Sequence, residues 1–364
     1  SKFSARDYPR AVVARKIQTT IGRPSVRDYL RIVEKNLLPN CPVTCRDIRI
    51  AEAIFGPDIG SLKGKTVRRA PDAVNTPIIM DIPASIYTHY RDLVLAGDIM
   101  YVNKIPFFMT ISRHVQFGTA EVLTNQKSKT LVDCVKKVKA LYTKRGFKIQ
   151  TILMDGQFEC LRADLADMQI DLNTVSADEH VPEIERRQRT VKERVRCVWN
   201  TLDYEMLPPR LIVEMVYASN FWLNSFPPDD GISDVLSPRA IVAGLELNYD
   251  KHCQPEFGTY VQTHEEHDNS MATRTTGAIA LRPTSNEQGR YYFLSLTTSR
   301  QLNRNRWTAL PMPTGVIDWV HTLTRRSNAS RGLTFAYRSG DPFLDHDDDD
   351  STDGSYHPDN DPDH

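Results

Sequence analysis

Residues 93–175 hold five strand-length apolar runs, and the order in which helical patterns interrupt them leaves few folds open. Leu93–Val102 is a continuous apolar run with one Asp inside it. Pro106–Ser112 comes after a short turn, and Thr119–Thr124 makes a third run. Each is apolar and rich in β-branched or aromatic residues, as strands are. Ser128–Arg145 then sets Leu131, Val135, Val138 and Leu141 on one helical stripe with lysines opposite, and Gly146 stands where a helix end favours glycine. Ile149–Asp155 reads as a fourth strand, Glu159–Met168 as a helix and Ile170–Val175 as a fifth strand. A long helix over Pro182–Leu207 and another over 209–224 come next. Pro182 suits a first helical position, where its missing N–H costs nothing. A three-strand meander and then helix–strand–helix–strand–helix predict an α/β layer on a mixed five-stranded sheet with flanking helices.

The flanks differ in character. Residues 1–80 read as short helices, with Val26, Leu30 and Val33 at helical spacing, and 60–71 reads as a basic, glycine-containing linker. Alternating runs at 258–263, 277–282 and 291–296 predict a small β-barrel within 254–312. Residues 341–364 carry ten Asp and no Lys or Arg, the composition of a disordered tail. The whole chain balances 46 Lys and Arg against 46 Asp and Glu, so the rest carries 46 bases against 36 acids. A basic body beside an acidic tail points towards a nucleic-acid partner. The six cysteines are scattered with no C-x-x-C pair, as in a reducing compartment. No apolar run is long enough to cross a membrane, and the chain opens at Ser1 with no signal-peptide layout.

Three carboxylates stand out. Asp98 interrupts an apolar strand, where a charge is costly unless it binds something. Asp155 ends the fourth strand, and Glu185 lies in the first turn of the long helix. Strand ends and the next helix N-terminus converge on one crevice in such sheets. Three acids gathered there repel one another unless divalent cations neutralise them, and an all-oxygen site suits Mg²⁺ or Mn²⁺. Taken singly, a strand-end Asp is a turn residue and a first-turn Glu complements the helix dipole; it is the triple and its order that single them out. On the long helix Arg189, Lys192 and Arg196 share the face of Glu185, which suits a phosphate backbone over the site. A solvated basic face is the plain alternative.

Other patterns carry less. Gly60-Ser-Leu-Lys-Gly-Lys-Thr is one residue short of a phosphate-binding loop and has no strand before it. His264-Glu-Glu-His267 lacks the zinc-protease spacing, and Cys41 and Cys45 have no partner pair. Tyr291, Tyr292 and Phe293 could stack on bases, but strand aromatics more often fill a core.

Several segments together resemble copia-type integrases, the DNA-joining part of LTR-retrotransposon polyproteins. Glu185-Arg-Arg-Gln-Arg-Thr-Val is similar to the E-R-x-x-R-T segment that carries the family's last catalytic Glu. Met154-Asp-Gly-Gln-Phe-Glu159 resembles a shortened second-Asp segment, and Leu95-Ala-Gly-Asp-Ile-Met the first-Asp strand. Ile21-Gly-Arg-Pro-Ser resembles the pre-integrase zinc region, and Ser237-Pro-Arg-Ala the segment after the catalytic domain. The resemblance implies an N-terminal region over 1–80, a ribonuclease H-like core over 86–226, and an SH3-like barrel over 254–312 that binds DNA. It implies that Asp98, Asp155 and Glu185 hold two Mg²⁺ or Mn²⁺ ions and that Arg189, Lys192 and Arg196 contact DNA. It also implies strand transfer of element ends into target DNA, a homo-oligomer, and nuclear action after a cytoplasmic particle stage. Arg23 replaces a zinc His, so no zinc is expected. Only 29 residues separate Asp155 from Glu185, fewer than is usual in the family. A decayed copy that binds DNA without catalysis, and a ribonuclease H-type nuclease, are the alternatives.

Overall fold

A computed structural model describes residues 3–65, 79–175, 181–245, 247–266, 271–284, 286, 288–327 and 332–336. The acidic stretch 341–364, the second half of the expected linker at 60–71, His267 and residues 176–180 before the long helix lie outside them.

The chain starts with four helices: α1 (Asp7–Thr20), α2 (Val26–Glu34), α3 (Cys45–Phe55) and α4 (Ile59–Lys65). Ala11, Ala14, Tyr29, Ile48 and Ala51 form the apolar centre shared by α1, α2 and α3. Ion pairs ring it: Arg10–Asp47, Arg15–Glu52 and Arg23–Asp58. Thr44 and Asp47 close a reciprocal capping box on α3. Where the family's zinc region would place a His, the Arg23 Nη1 reaches both Asp58 oxygens at 2.6 and 2.7 Å. Burial pushes the Asp58 carboxyl up, but the bonds from Arg23 and Ser61 outweigh it and hold the acid below its ordinary range. The part of the expected linker that is described, 60–65, is helical instead: it lies within α4. A Cβ at Gly60 would come within 2.4 Å of the Arg23 guanidinium, so this glycine serves close packing and not phosphate.

After α5 (Ala84–Tyr90) come β1 (Asp92–Val102), β2 (Ile105–Ser112), β3 (Gly118–Val122), α6 (Ser128–Thr143) and β4 (Lys148–Asp155). Then come a 3₁₀ turn (Gly156–Leu161), α7 (Arg162–Asp167), β5 (Asp171–Val175), α8 (Pro182–Thr201) and α9 (Pro209–Leu223). The sheet order is β3-β2-β1-β4-β5, with β1–β2 and β2–β3 antiparallel and β1–β4 and β4–β5 parallel. This is the mixed α/β sheet the sequence predicts. The strand period of two splits β1 between its faces. Leu93 and Leu95 face α6 and α7, while Ala96, Met100 and Val102 face α8 and α9.

The rest comprises α10 (Pro238–Ala243), α11 (Tyr249–His252), β6 (Tyr260–His264), β7 (Thr275–Pro283), β8 (Tyr291–Ser295), β9 (Gln301–Arg304), β10 (Trp307–Ala309), α12 (Thr314–Arg326) and β11 (Phe335–Ala336). The expected barrel is corrected here: β10-β6-β7-β8-β9 is an open five-stranded sheet. One of its faces, with Tyr260, Ile279, Leu281 and Leu294, runs into the apolar cluster under α8 and α9. On the other, Tyr291 and Phe293 pack around Trp307, so those aromatics are core. A second correction is β11, which pairs with the far end of β1 and makes the core sheet six-stranded.

A buried ion pair joins the two sheets. Glu214 of α9 accepts from Arg282 Nε at 3.0 Å and from Gln301 Nε2 at 2.9 Å. The Arg282 guanidinium also lies over the Tyr217 and Tyr292 rings. Removing one partner of such a pair leaves the other charge buried and uncompensated. Because Arg282 is half-buried and keeps some contact with water, Glu214→Ala is expected to lower urea-unfolding stability by about 1.5–3 kcal/mol. A loss under about 0.5 kcal/mol, the usual range for a surface change, would mean that the pair does not join the sheets.

Candidate active site

β1 and β4 pair only from Asp92 to Ala96 on β1, ending at Ala96↔Leu153. Beyond that point β4 continues against β5 through Met154 and Asp155, while β1 runs on beside β2. Asp98 and Asp155 thus stand past the last shared rung, on two parallel strands that part company. Asp98 lies two residues beyond Ala96 and two before Met100, so it points to the same side, towards α8. There Gln188 Nε2 donates to Asp98 Oδ2 at 2.8 Å. Gln188 is buried, and Glu185, one turn earlier, is exposed, as is Asp155.

Electrostatics tie the three acids together. The Asp98 carboxyl is pushed up to about 6, first by burial and then by the negative charges of Asp155 and Glu185; the bonds from the Ile99 backbone and Gln188 pull the other way. The site is not a closed cage: among the described residues no three His, Cys, Asp or Glu side chains are set together to hold a metal ion. The donor chemistry nevertheless fits a hard divalent cation. The half-buried Asp98 carboxylate is oriented by Gln188, and Asp155 and Glu185 lie at the surface.

Two anchors set the start of α8. Glu183 accepts from Arg113 Nε at 2.8 Å, so this acid is engaged away from the site. Arg187 is buried and donates through Nη2 to Asn220 Oδ1 at 2.7 Å and Asn224 Oδ1 at 2.8 Å. Both asparagines donate in turn to the Gly118 carbonyl at the start of β3. Burial pulls the Arg187 guanidinium down to about 10. A Cβ at Gly118 would lie 2.5 Å from Arg187 Nε, so only glycine leaves room for this cation.

No protein-family model matches the chain, and no curated protein matches it. Solved structures that match include the catalytic core domain of BIV integrase, at 14% identity over 41% of this chain and 93% of that one, with a TM-score of 0.30. Another is the HTLV-2 integrase catalytic core domain in complex with magnesium, in a trimeric form, at 13% identity over 41% and 95%, also with a TM-score of 0.30. A TM-score that low does not by itself assign a fold.

The cationic residues separate. Arg189 is exposed. Arg196 is half-buried, with its guanidinium 5.0 Å from the centre of the Phe335 ring. Lys192 is only 2% exposed, which corrects its expected place on an open basic face. On the helical wheel it falls between the outward Arg189 and the buried Gln188 and Val195, at the rim of the apolar stripe. Sequence reasoning missed the buried anchor Arg187, the positioning residue Gln188, and the outward Arg186 and Arg194. A wheel centred on the middle of the apolar stripe would have found Arg186, which falls nearly opposite it; Arg194 falls near its edge. The other set-aside patterns have structural uses: His264 meets Thr308 Oγ1 at 3.1 Å, and Glu265 pairs with Arg304.

Asp98 gives a signed pH dependence without metal. Its folded value of about 6 stands above the ordinary 3.8, so between those values the folded chain keeps a proton the unfolded chain has lost. Stability therefore falls as pH rises from about 4 to about 6, by an amount on the order of 3 kcal/mol, and the penalty persists above. Asp98→Asn should melt at a higher temperature than the parent at pH 8 and at nearly the same temperature at pH 4. Equal melting at pH 8 would show that the buried charge carries no such strain.

Proposed function

We propose that the chain is a polynucleotidyl transferase of the integrase kind, built on a ribonuclease H-like core, that joins DNA ends to a target by transesterification. What supports this reading is that Asp98 and Asp155 lie just past the last rung shared by β1 and β4, with Glu185 in the first turn of α8, the helix whose Gln188 meets Asp98. The strand order and the segments around each acid support the same reading.

Asp98, Asp155 and Glu185 would hold the divalent ions. Two such ions supply activation of a 3′-hydroxyl and stabilisation of the leaving oxygen. Gln188 occupies one Asp98 oxygen and fixes the plane of the carboxylate, so the site needs little reorganisation when it fills. Arg189, one turn after Glu185, and Arg186 give α8 outward cations beside the acids that suit a phosphate backbone. Lys192 acts from within the fold and not at the DNA, and Arg196 borders the surface. In the reaction a 3′-hydroxyl oxygen bonds to the target phosphorus, the bond to the leaving 3′-oxygen breaks, and that oxygen takes up a proton. A homo-oligomer acting on two DNA ends, in the nucleus, belongs to the same proposal.

A second reading is DNA binding without catalysis, favoured by the open arrangement of the three acids in the described residues. A Mg²⁺-dependent strand-transfer assay with labelled target DNA separates the two. Joined product from the parent chain, reduced at least ~100-fold in Glu185→Gln with duplex binding retained, is the expected result; a loss of that size is typical for removing one transition-state-stabilising group. Tight duplex binding with no product from either chain supports the second reading, and cut but unjoined target marks a nuclease.

A further inference from the structure

Two guanidiniums lie beside one another on one face of α9. Glu214, Tyr217 and Phe221 follow there at helical spacing. The Arg282 guanidinium, from β7, lies over the Tyr217 ring at 5.4 Å and the Tyr292 ring at 4.6 Å. The Arg239 guanidinium, from the first turn of α10, lies over the Phe221 ring at 4.7 Å. Tyr217 and Phe221 are one helical turn apart, ~6 Å along the axis at about 1.5 Å per residue. The two cations act on one another: burial first, and then the charge of Arg282, pull Arg239 down to about 10.

A single carboxylate stands against both. Glu214 is already taken up by Arg282 Nε and Gln301 Nε2. Arg239 forms no ion pair and no side-chain hydrogen bond among the described residues, and its Nε is buried without a partner. The Nη atoms of Arg282 likewise donate to no described residue. Glu121, the next acid towards Tyr217, is engaged by Lys137 at 3.1 Å. Asp229, Asp230 and Asp234, in the loop before α10, are exposed, and none pairs with either arginine among the described residues. Two cations beside one acid repel, and a buried polar group without a partner is a further cost. An oxyanion seated between them removes both. The rings cover the flat faces of the guanidiniums and leave the in-plane N–H fork, the edge that grips such a group.

We propose that Arg239 and Arg282 form a binding site for a phosphate group, separate from the three acids. The arginines lie beyond β3, whose Val122 N donates to Tyr217 Oη at 3.1 Å, whereas Asp98 is on β1, two strands away in the sheet. That separation is ~10 Å at about 4.8 Å per strand. The phosphate belongs either to a nucleic-acid backbone or to a free phosphate ion; the site offers both the same two forks. The site stands whether or not the chain joins DNA.

The test uses the full chain and two variants. Arg239→Met exchanges an unpaired, half-buried cation for an apolar side chain, which removes a desolvation cost and should leave the fold intact. Inorganic phosphate at ~10 mM, against chloride of equal ionic strength, should raise the melting temperature of the parent by at least ~2 °C, as a ligand of the folded state does, and leave Arg239→Met unmoved. Arg239→Lys keeps the charge and loses the fork, so it should keep less than half of the shift; it carries the same comparison should the Met variant unfold. Duplex oligonucleotide affinity, read by fluorescence anisotropy at ~100 mM salt, names the source of the phosphate. A loss of about tenfold or more in the variants assigns it to a nucleic-acid backbone. Unchanged affinity beside a phosphate shift confined to the parent assigns it to the free ion. Equal duplex affinity in all chains, with no phosphate shift in the parent or with the same shift in the variants, overturns the site.

Discussion

The placement of α8 depends on a buried guanidinium that pairs with no carboxylate among the described residues. Arg187 sits between α8, α9 and the first residue of β3, held by two asparagine oxygens, and those asparagines are spent on one glycine carbonyl. A buried cation held by two amide oxygens, with its Nε left unbonded among the described residues, tolerates little movement, because a shift would leave more of it desolvated and unpaired. The same geometry fixes the register of α8, and the register sets which residues of that helix face Asp98. Displacing Arg187 would rotate Gln188 off the Asp98 oxygen and Glu185 away from the strand ends. The site is thus held in place by a residue that never touches it.

Within the site the division of labour between the acids comes from depth. Asp98 is half-buried and accepts from Gln188, whereas Asp155 and Glu185 are exposed. A half-buried, oriented acid supplies direction, and two acids at the surface supply further oxygens from its open side. Without a cation the arrangement carries a standing electrostatic penalty on Asp98, which a divalent ion would relieve. The stress is stored where the chemistry is proposed to occur.

Much of the core was legible because period and punctuation agree there. The apolar runs at 93–102, 106–112 and 119–124 became β1, β2 and β3, and the stripe through Leu131, Val135 and Val138 became the buried face of α6. The three acids could be picked out because each breaks a local rule or ends an element. The misses have physical causes. The long helix stops at Thr201 and not near Leu207, because Leu202 turns extended and the chain runs on to Pro208 and Pro209. β11 is two residues long and pairs with a strand more than two hundred residues earlier, so no local pattern announces it. Turn signals between strands cannot tell an open sheet from a closed barrel; that depends on whether the outer strands meet, and here β10 and β9 lie at opposite edges. Arg187 and Arg189 look alike in sequence, two residues apart on one helix, yet one is buried and the other exposed.

The open second sheet and β11 belong to one arrangement. A closed barrel buries its own interior and can stand on a linker; an open sheet with two apolar faces cannot, and must cover one of them. Here Tyr260, Ile279, Leu281 and Leu294 are covered by the cluster beneath α8 and α9, and the Glu214–Arg282 pair fixes the angle of approach. The chain then passes through α12, whose Val316 and Val320 join the same cluster, and returns to β1 as β11. The second sheet is therefore tied to the core at α9 and again at the strand that carries Asp98.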